Sequence, residues 1–324
     1  MNTVQLQAYS GRAKPRVSLL ARLLLGAETP GQAREALAFY LFLSPWLLGL
    51  LLFFGGPIIA SFVLSFYDYT LVKPPIFVGL ANFRKAFFED HLFWPSLGRT
   101  FTWTIIYVPL VVTGSLLLSI LLNQHLQGTN VFRTLFFLPH LTPPVALGVL
   151  WAWILHPRIG PINYLLAKLG VAEPPGWLTS EDWALPGLVI MGLWGGMGGN
   201  RMLIFLAGLQ GVPQELYEAS EIDGASSWAK FWNVTVPLIS PVVFFNVVLG
   251  IIGALKVFST AFVATGGGPN YATWFVALHI YNQAFRYFRM GYGSTLAWVL
   301  AFLLVIFTLL QVQLSNRWVY YAGQ

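Results

Sequence analysis

Six long runs of apolar residues divide the chain, with shorter polar or mixed segments between them. They cover about residues 37–66, 99–122, 131–155, 184–209, 238–262 and 294–316. A helix needs about 20 apolar residues to cross a bilayer, and each run reaches that length. Lipid offers backbone groups no hydrogen-bond partners, so every run should be helical. The pattern predicts an all-α, polytopic membrane protein with about six transmembrane helices.

Three of these runs contain residues that an apolar anchor does not need. Pro45 and Pro57 interrupt the first run, so we expect one tilted or kinked helix there. Arg201 lies in the fourth run and Lys256 in the fifth. Charged residues inside spans are costly and mark functional sites by default, although snorkelling and pairing with a neighbouring subunit are alternatives.

Composition supports a membrane environment. The chain is 56% hydrophobic and only 9% charged, whereas soluble domains carry about 25% charged residues. The 13 Trp and 13 Tyr residues suit the headgroup level. The net charge of +6 is spread over loops and tails, which favours anionic lipid over nucleic acid as the partner. There is no cysteine, so no disulfide or Cys-based metal site is possible.

The segments outside the apolar runs suggest an orientation. Residues 1–36 form a basic tail without a recognisable secretory signal, and residues 317–324 form a short second tail. Basic tails favour the cytoplasm, so we expect both termini there and the six-helix domain at 37–316. The longer loops, 67–98, 156–183 and 263–293, then lie outside. The other basic residues show no clear asymmetry between the two faces.

The inner segment at about 210–237 has the pattern of two short helices. Pro213 suits a first helical position, and Glu215 and Glu218 follow near the positive end of the helix dipole. Gly224 suits a left-handed C-terminal turn, after which Ser226 or Ser227 can cap a second helix. We expect Pro237 to end that second helix where the next span begins. The segment is predicted to form a helix–turn–helix elbow.

The elbow carries a long, gapped motif. It reads E-A-S-x-x-x-G, nine residues, then V-x-V-P, at Glu218, Ala219, Ser220, Gly224, Val234, Val236 and Pro237. This resembles the coupling motif of ABC importer permeases, which usually reads E-A-A-x-x-x-G, nine residues, I-x-L-P. The segments 205–213, 265–270 and 281–285 resemble the sugar branch, with its maltose-type and glycerol-phosphate-type permeases.

The resemblance implies a type I importer permease fold and a multi-subunit machine. The coupling loop would dock in a cleft of an ATPase subunit, with Glu218 facing a basic group and Gly224 allowing the turn. A second permease, an ATPase dimer and an extracytoplasmic solute-binding protein are the implied partners. The transported substrate would be a sugar or polyol in an inner membrane. Taken alone, Glu218 is also explained as a solvated acid at a helix start.

Two groups of span residues are candidates for the substrate pathway. Trp194, Met197 and Asn200 recur at about helical spacing within a segment where four of five residues are glycine. A ring can stack on a sugar and an amide can pair with hydroxyls, and the resemblance places Met197 and Asn200 at contact positions. The resemblance also assigns the pocket lining to Gly250, Ala254 and Val257. Both groups are equally typical of close helix packing.

Several functions find no support in the sequence. No G-x-x-x-x-G-K-[ST] loop occurs, so ATP hydrolysis must come from another subunit. No paired histidines, nucleophile elbow or intramembrane carboxylates occur, so we expect neither an enzyme nor a bound cofactor or metal. An ion-gradient transporter, a membrane scaffold and an importer of an anionic solute remain alternatives. The sequence does not name the sugar or the subunit that holds it.

Overall fold

The computed structural model describes residues 30–124 and 127–320. Residues 1–29 of the predicted basic tail and residues 321–324 of the C-terminal tail therefore lie outside the described residues. The chain divides into two units, one ending at Val63 and one beginning at Leu64.

The described residues form mainly helices. The first eight are α1 (Pro30–Leu50), α2 (Gly56–Leu64), α3 (Ala81–Arg84), α4 (Phe93–Leu122), α5 (Thr129–Leu141), α6 (Pro144–Ile154), α7 (Pro161–Lys168) and α8 (Glu181–Gly196). The others are α9 (Gly199–Gln210), α10 (Gln214–Ile222), α11 (Ser227–Lys230), α12 (Val236–Leu255), α13 (Ser259–Ala264), α14 (Val276–Tyr281) and α15 (Met290–Ser315). Four π-helical turns occur at Leu51–Gly55, Lys85–Glu89, Phe231–Thr235 and Asn282–Arg286.

Four stretches are long and apolar enough to cross a membrane without a break. They are Gly31–Leu64, Phe93–Leu122, Ser227–Leu255 and Met290–Ser315. Two bent pairs supply up to two more: α5 with α6, bent by 99°, and α8 with α9, bent by 54°. The prediction of a helical membrane fold is confirmed, and the pairs coincide with the third and fourth apolar runs.

The third run was predicted as one helix, and this is wrong. Its two halves are separated at Thr142 and Pro143, both of which have extended backbones with ψ of 128° and 137°. Proline disfavours the helical conformation in the residue before it. Two consecutive prolines, Pro143 and Pro144, therefore end α5 and start α6 in a new direction.

The first span is one continuous stretch of 34 residues, Gly31–Leu64. It begins before Leu37, so residues 31–36 of the predicted tail are helical. Pro45 lies inside α1, and a π-helical turn precedes Pro57. None of the side chains of α2 is buried within the chain, as expected of a helix whose apolar surface faces lipid or another subunit.

Helix α4 occupies the centre of the second unit and packs against α8, α9 and α12. Small hydroxyl residues allow this close packing, because each hydroxyl donates a hydrogen bond to a carbonyl of its own helix and so needs no other partner. Ser115 and Ser119 do so at 2.7 Å, and the Ser119 hydroxyl also lies 2.9 Å from the Met202 carbonyl of α9. The buried core around α4 includes Trp103, Val111 and Phe205.

Before α4, an antiparallel hairpin pairs β1 (Tyr67–Thr70) with β2 (Lys73–Phe77), with Tyr67 opposite Phe77. These strands are the exception to the all-α prediction in the described residues. The buried Asn82 fixes the start of the hairpin, because its amide donates to the carbonyls of Ser65 and Tyr67 at 3.1 and 2.9 Å. Thr70 also pairs with Arg289, next to α15.

Lys256 lies at the end of α12 and not inside a span. The helix ends at Leu255, and α13 begins separately at Ser259. The predicted fifth run, 238–262, is therefore shifted towards the N terminus, and its span is Ser227–Leu255. Because Lys256 is exposed at a helix end, its charge needs no partner inside the membrane.

Candidate functional site: the elbow and the bent helix pair

The elbow forms as the sequence predicts up to its central turn, except that Pro213 precedes the first helical residue, Gln214, instead of occupying that position. Helix α10 ends in a left-handed Gly224 with φ of +75°. The Ala225 and Gly224 amides donate to the carbonyls of Ser220 and Glu221 at 2.9 and 3.0 Å. This is the Schellman arrangement, in which glycine satisfies the last carbonyls of a helix. A Cβ at Gly224 would meet no atom within 4 Å, so the requirement for glycine is one of backbone conformation.

Side chains hold the two helices of the elbow together. Lys230 Nζ lies 2.7 Å from Glu221 Oε1, which joins α11 to α10. The hydroxyls of Tyr217 and Thr235 lie 2.9 Å apart, and Ser226 caps α11 by accepting from the Ala229 amide at 3.3 Å. The elbow is therefore connected to the foot of α12 by polar contacts as well as by the chain.

The outer surface of the elbow is exposed and partly apolar. Glu218 and Ala219 are exposed, and Ser220 is half-buried and donates to the Tyr217 carbonyl. Ile222 is 88% exposed and Trp228 70% exposed. Exposed aromatic and branched side chains beside an acid are typical of an interaction surface. Glu218 forms no ion pair within residues 30–124 and 127–320.

Pro237 does not end the second helix, so that prediction is wrong. Residues Ser227–Leu255 form one continuous span. Proline clashes with the carbonyl four residues before it, here that of Asn233. A π-helical turn, closed by the Val236 amide on the Phe231 carbonyl, surrounds Asn233 and widens the helix there. The same arrangement precedes Pro57, where the Gly56 amide bonds to the Leu51 carbonyl.

The bend between α8 and α9 lies at the predicted glycine segment. Gly198 is extended and Gly199 has φ of +66°. A Cβ at Gly198 would lie only 2.0 Å from the Phe136 carbonyl oxygen of α5. The glycines thus provide both the bend and the close approach of α5.

Trp194 and Met197 line a cavity of about 840 Å³ between α4, α5, α6 and α8, here called the leucine cavity. Its size is within the range of about 300–1,000 Å³ that is usual for ligand pockets. Its walls are almost entirely apolar and include Leu117, Leu135 and Leu150, with Thr142 as a polar exception. A sugar could stack on Trp194 there, but its hydroxyls would find few partners from this chain.

Asn200 is exposed and lies in a second cavity of about 170 Å³, here called the arginine cavity. Arg201 lines it too, and the guanidinium Nη1 donates to the Gly196 carbonyl at 3.3 Å. Arg201 therefore extends back towards the bend. Snorkelling towards the elbow end of α9, which the sequence left open, does not occur.

Gly250, Ala254 and Val257 are buried and line neither cavity. Ala254 and Val257 belong to the core around α4. A Cβ at Gly250 would lie 3.2 Å from Val108 and 3.7 Å from the Arg201 guanidinium. The structure therefore does not bring them together with Trp194 and Met197. In this chain they act in packing, and their place in the pathway stays a prediction.

A buried polar network at the hairpin end was not anticipated from the sequence. His279 Nε2 donates to Asp90 Oδ2 at 2.8 Å, while Trp274 Nε1 donates to His279 Nδ1 at 3.1 Å. The Tyr292 hydroxyl and the Leu92 amide donate to the same carboxylate. Because Nδ1 accepts, the His279 ring is neutral with its proton on Nε2. Asp90 and His279 are 189 positions apart, and no local pattern connects them.

The carboxylate of Asp90 is the charged centre of this network. Burial opposes its ionisation, but the hydrogen bonds from His279, Tyr292 and the Leu92 amide outweigh burial and hold the pKa of Asp90 well below its usual range. The network joins the segment before α4 to α14 and α15, so it fixes the connections at the hairpin end.

Replacing Asp90 with asparagine should lower the thermal unfolding midpoint by several degrees at neutral pH, because one amide oxygen cannot accept all three donors. Since the pKa of Asp90 is depressed on folding, its contribution is complete above the unfolded pKa of about 3.9 and is lost as pH falls below it. The difference between wild type and Asp90→Asn should stay constant from neutral pH to about pH 5 and shrink below pH 4.

Unfolding in nanodiscs, followed at several pH values, tests this. Asp68→Asn is the control, since Asp68 is exposed on β1 and forms no ion pair in the described residues. An unchanged midpoint for Asp90→Asn would contradict the assignment of Asp90 as a structural carboxylate.

Comparison with known proteins adds to this geometry. Residues 93–320 match the family model described as binding-protein-dependent transport system inner membrane component. The probable ABC transporter permease protein YesP of Bacillus subtilis is 37% identical over 294 residues, 90% of this chain and 94% of that protein. The trehalose/maltose transport system permease protein MalF of Thermococcus litoralis is 34% identical over 288 residues, 87% of this chain and 95% of that protein.

The chain is also similar in sequence to a third permease and in fold to a solved structure. The arabinooligosaccharides transport system permease protein AraP of Bacillus subtilis is 34% identical, over 86% of this chain and 88% of that protein. A bacterial ABC transporter involved in the import of the acidic polysaccharide alginate contains a chain of the same fold. It aligns with a TM-score of 0.78 and 21% identity over 89% of this chain and 98% of that chain.

Proposed function

Because the chain belongs to the family of inner membrane components of binding-protein-dependent transport systems, we propose that it is a permease subunit of an ATP-driven sugar importer. It provides half of a translocation pathway and hydrolyses no ATP itself. Relatives named for arabinooligosaccharides and for trehalose and maltose support a saccharide substrate.

The elbow is the observation that carries this proposal. Its motif residues form one unit, with Glu218 and Ala219 exposed on α10 and Gly224 in the left-handed turn. Val234 and Pro237 lie at the foot of α12. Docking of an ATPase subunit on α10 would move α12, because Tyr217 and Lys230 connect the two. Closure of the ATPases on ATP would thereby switch the paired permeases between inward-open and outward-open states.

The elbow also sets the proposed orientation. An ATPase is cytoplasmic, so α10 and α11 face the cytoplasm and the hairpin end faces outward, where a solute-binding protein would dock. Helix α4 runs between the two sides, since Thr100 contacts Val276 and Asn123 borders a cavity with Tyr217. With the bent pairs counted as single spans, residues 37–316 cross the membrane six times and both termini are cytoplasmic.

A second, similar permease subunit would complete the pathway. The leucine cavity is open and poor in hydrogen-bonding groups, so Trp194 and Met197 would provide stacking while another chain provides polar contacts. Asn200 is exposed next to the bend and can pair with sugar hydroxyls. Gly250, Ala254 and Val257 would support the pathway by keeping α12 close to α4.

Uptake by the complex reconstituted in proteoliposomes tests the proposal. The permease pair, the ATPase and the binding protein would be supplied with labelled oligosaccharides, with ATP or its non-hydrolysable analogue inside the vesicles. We expect uptake with ATP and none with the analogue. Uptake that persists with the analogue and stops with a proton or sodium ionophore would replace this proposal with a gradient-driven carrier.

A further inference from the structure

In the proposed orientation, Arg201 lies near the middle of the membrane. It is the third residue of α9 and precedes the end of that helix, Gln210, by nine residues. At 1.5 Å per residue this is about 14 Å, which is close to half of the hydrocarbon thickness of about 30 Å. Helical side chains lean towards the N terminus of their helix, so the guanidinium extends away from the cytoplasmic end.

The partners of Arg201 in this chain are neutral. Its Nη1 donates to the Gly196 carbonyl, and the guanidinium lies beside the hydroxyl of Tyr107. No carboxylate lies within ion-pair distance of it in residues 30–124 and 127–320. Dipoles therefore solvate the charge without neutralising it, and an anion in this position would gain a half-buried cation as partner.

The arginine cavity gives such an anion a place to bind. Its polar side chains are His140, Asn200, Arg201 and Asn246, and its volume is about 170 Å³. That is room for a few water molecules or one small polar group, far less than a sugar ring needs. Asn246 is 1% exposed and uses its amide to donate to the Val242 carbonyl at 3.0 Å, so its position is fixed.

Gly250 of α12 lies close to the guanidinium but does not line the arginine cavity. A Cβ there would be 3.7 Å from the Arg201 Nη2 atom, an ordinary van der Waals contact, and 3.2 Å from Val108. The guanidinium therefore lies against α12 as well as against its own helix, α9.

We propose that the arginine cavity receives an anionic group of the transported sugar, such as the carboxylate of a uronic acid, and that Arg201 binds it. This inference rests on the proposed function and specifies its substrate class. The planar guanidinium can pair with both oxygens of a carboxylate, while the sugar ring, which is too large for this cavity, stays outside it. Asn200 and Asn246 then contact the acidic end of the substrate. A neutral sugar would leave Arg201 unpaired and would gain nothing from it.

The test compares matched probes in the reconstituted complex. Oligosaccharides of galacturonic acid are offered beside neutral oligosaccharides of galactose, each labelled. Wild type should import the acidic probe at least about tenfold faster than the neutral probe. The acidic probe should also inhibit uptake of the neutral probe, whereas the neutral probe should not inhibit uptake of the acidic one. Arg201→Gln should reduce acidic uptake at least about tenfold and leave neutral uptake within twofold, and Arg201→Lys should be intermediate.

Lys256→Gln is the matched control, because it removes an exposed positive charge outside the span and should change neither rate. The binding protein also selects between the probes, so the change in the ratio of the two uptake rates from wild type to variant carries the test. Arg201→Lys, which keeps the charge, provides that ratio even if Arg201→Gln fails to fold. Equal wild-type uptake of both probes, or an equal loss of both in Arg201→Gln, would overturn the inference and assign Arg201 to holding the bend. ATP-dependent uptake of neutral sugars would then still support the proposed function, whereas no ATP-dependent uptake of any saccharide overturns both.

Discussion

Replacing Glu218 with alanine should reduce ATP-dependent uptake to below about one tenth of the wild-type rate while the permease remains folded. In the proposed complex Glu218 pairs with a basic group of the ATPase subunit, and loss of one partner of a charge pair that docking buries costs about 2–5 kcal/mol. Glu218 is exposed on α10 and has no ion pair in the described residues. Alanine is also a good helix former, so α10 should be unaffected. Uptake in proteoliposomes and co-purification of the ATPase subunit measure the two effects.

Glu215→Ala is the matched control, since Glu215 lies in the first turn of the same helix and is also exposed. Its uptake should stay within about twofold of wild type, as expected when a solvent-exposed charge is removed. Equal losses in the two variants would indicate a general charge effect. Wild-type uptake by Glu218→Ala would remove the elbow from the coupling mechanism.

Replacing Gly198 with alanine should destabilise the fold. The added Cβ would lie 2.0 Å from the Phe136 carbonyl oxygen, so α5 and α9 would have to separate by roughly 1 Å. Forced overpacking of this kind costs about 1–3 kcal/mol or more. The expected result is a fall of about 2–4 °C in the thermal unfolding midpoint, together with loss of transport, because the same contact borders the leucine cavity.

Gly253→Ala is a control that should not lower the thermal unfolding midpoint. Gly253 lies inside α12, and a Cβ there would meet no atom within 4 Å. Alanine in a helix interior is favoured over glycine by up to about 1 kcal/mol, so the midpoint should rise slightly or stay constant. If Gly198→Ala were as stable as Gly253→Ala, the close approach of α5 to the bend would be wrong.

The sequence predicted the fold through two kinds of local signal. Hydrophobic run length found the four unbroken spans and the two bent pairs, and the elbow followed from Gly224 and Ser226, whose backbone conformation and capping depend on their neighbours. The run at 131–155 shows the limit of this approach, because run length cannot distinguish a straight helix from two helices that turn at Pro143. Pro237 was misread as a helix end because the widening of the helix before it leaves no mark in composition.

The candidate site was only partly predictable, for a related reason. Trp194 and Met197 were found from their spacing, but whether a residue faces a cavity or a neighbouring helix depends on tertiary packing. Ala254 shares the glycine-rich helical pattern and is nevertheless buried against α4. The link between Asp90 and His279 joins distant segments, so only the folded chain reveals it.

The widened turn before Pro237 holds one residue more than an ordinary helical turn. Its hydrogen bond closes over five residues instead of four, so the extra residue is taken up within the turn and the elbow keeps nearly the direction it would have on a regular helix. Removing a single residue from Phe231–Thr235 would return the segment to regular helix with Glu218 and Trp228 still facing nearly the same way. It would also remove the widening that keeps the Pro237 ring clear of the carbonyl four residues before it, so one-residue deletions here should bend the span at Pro237 and be less tolerated than most point substitutions.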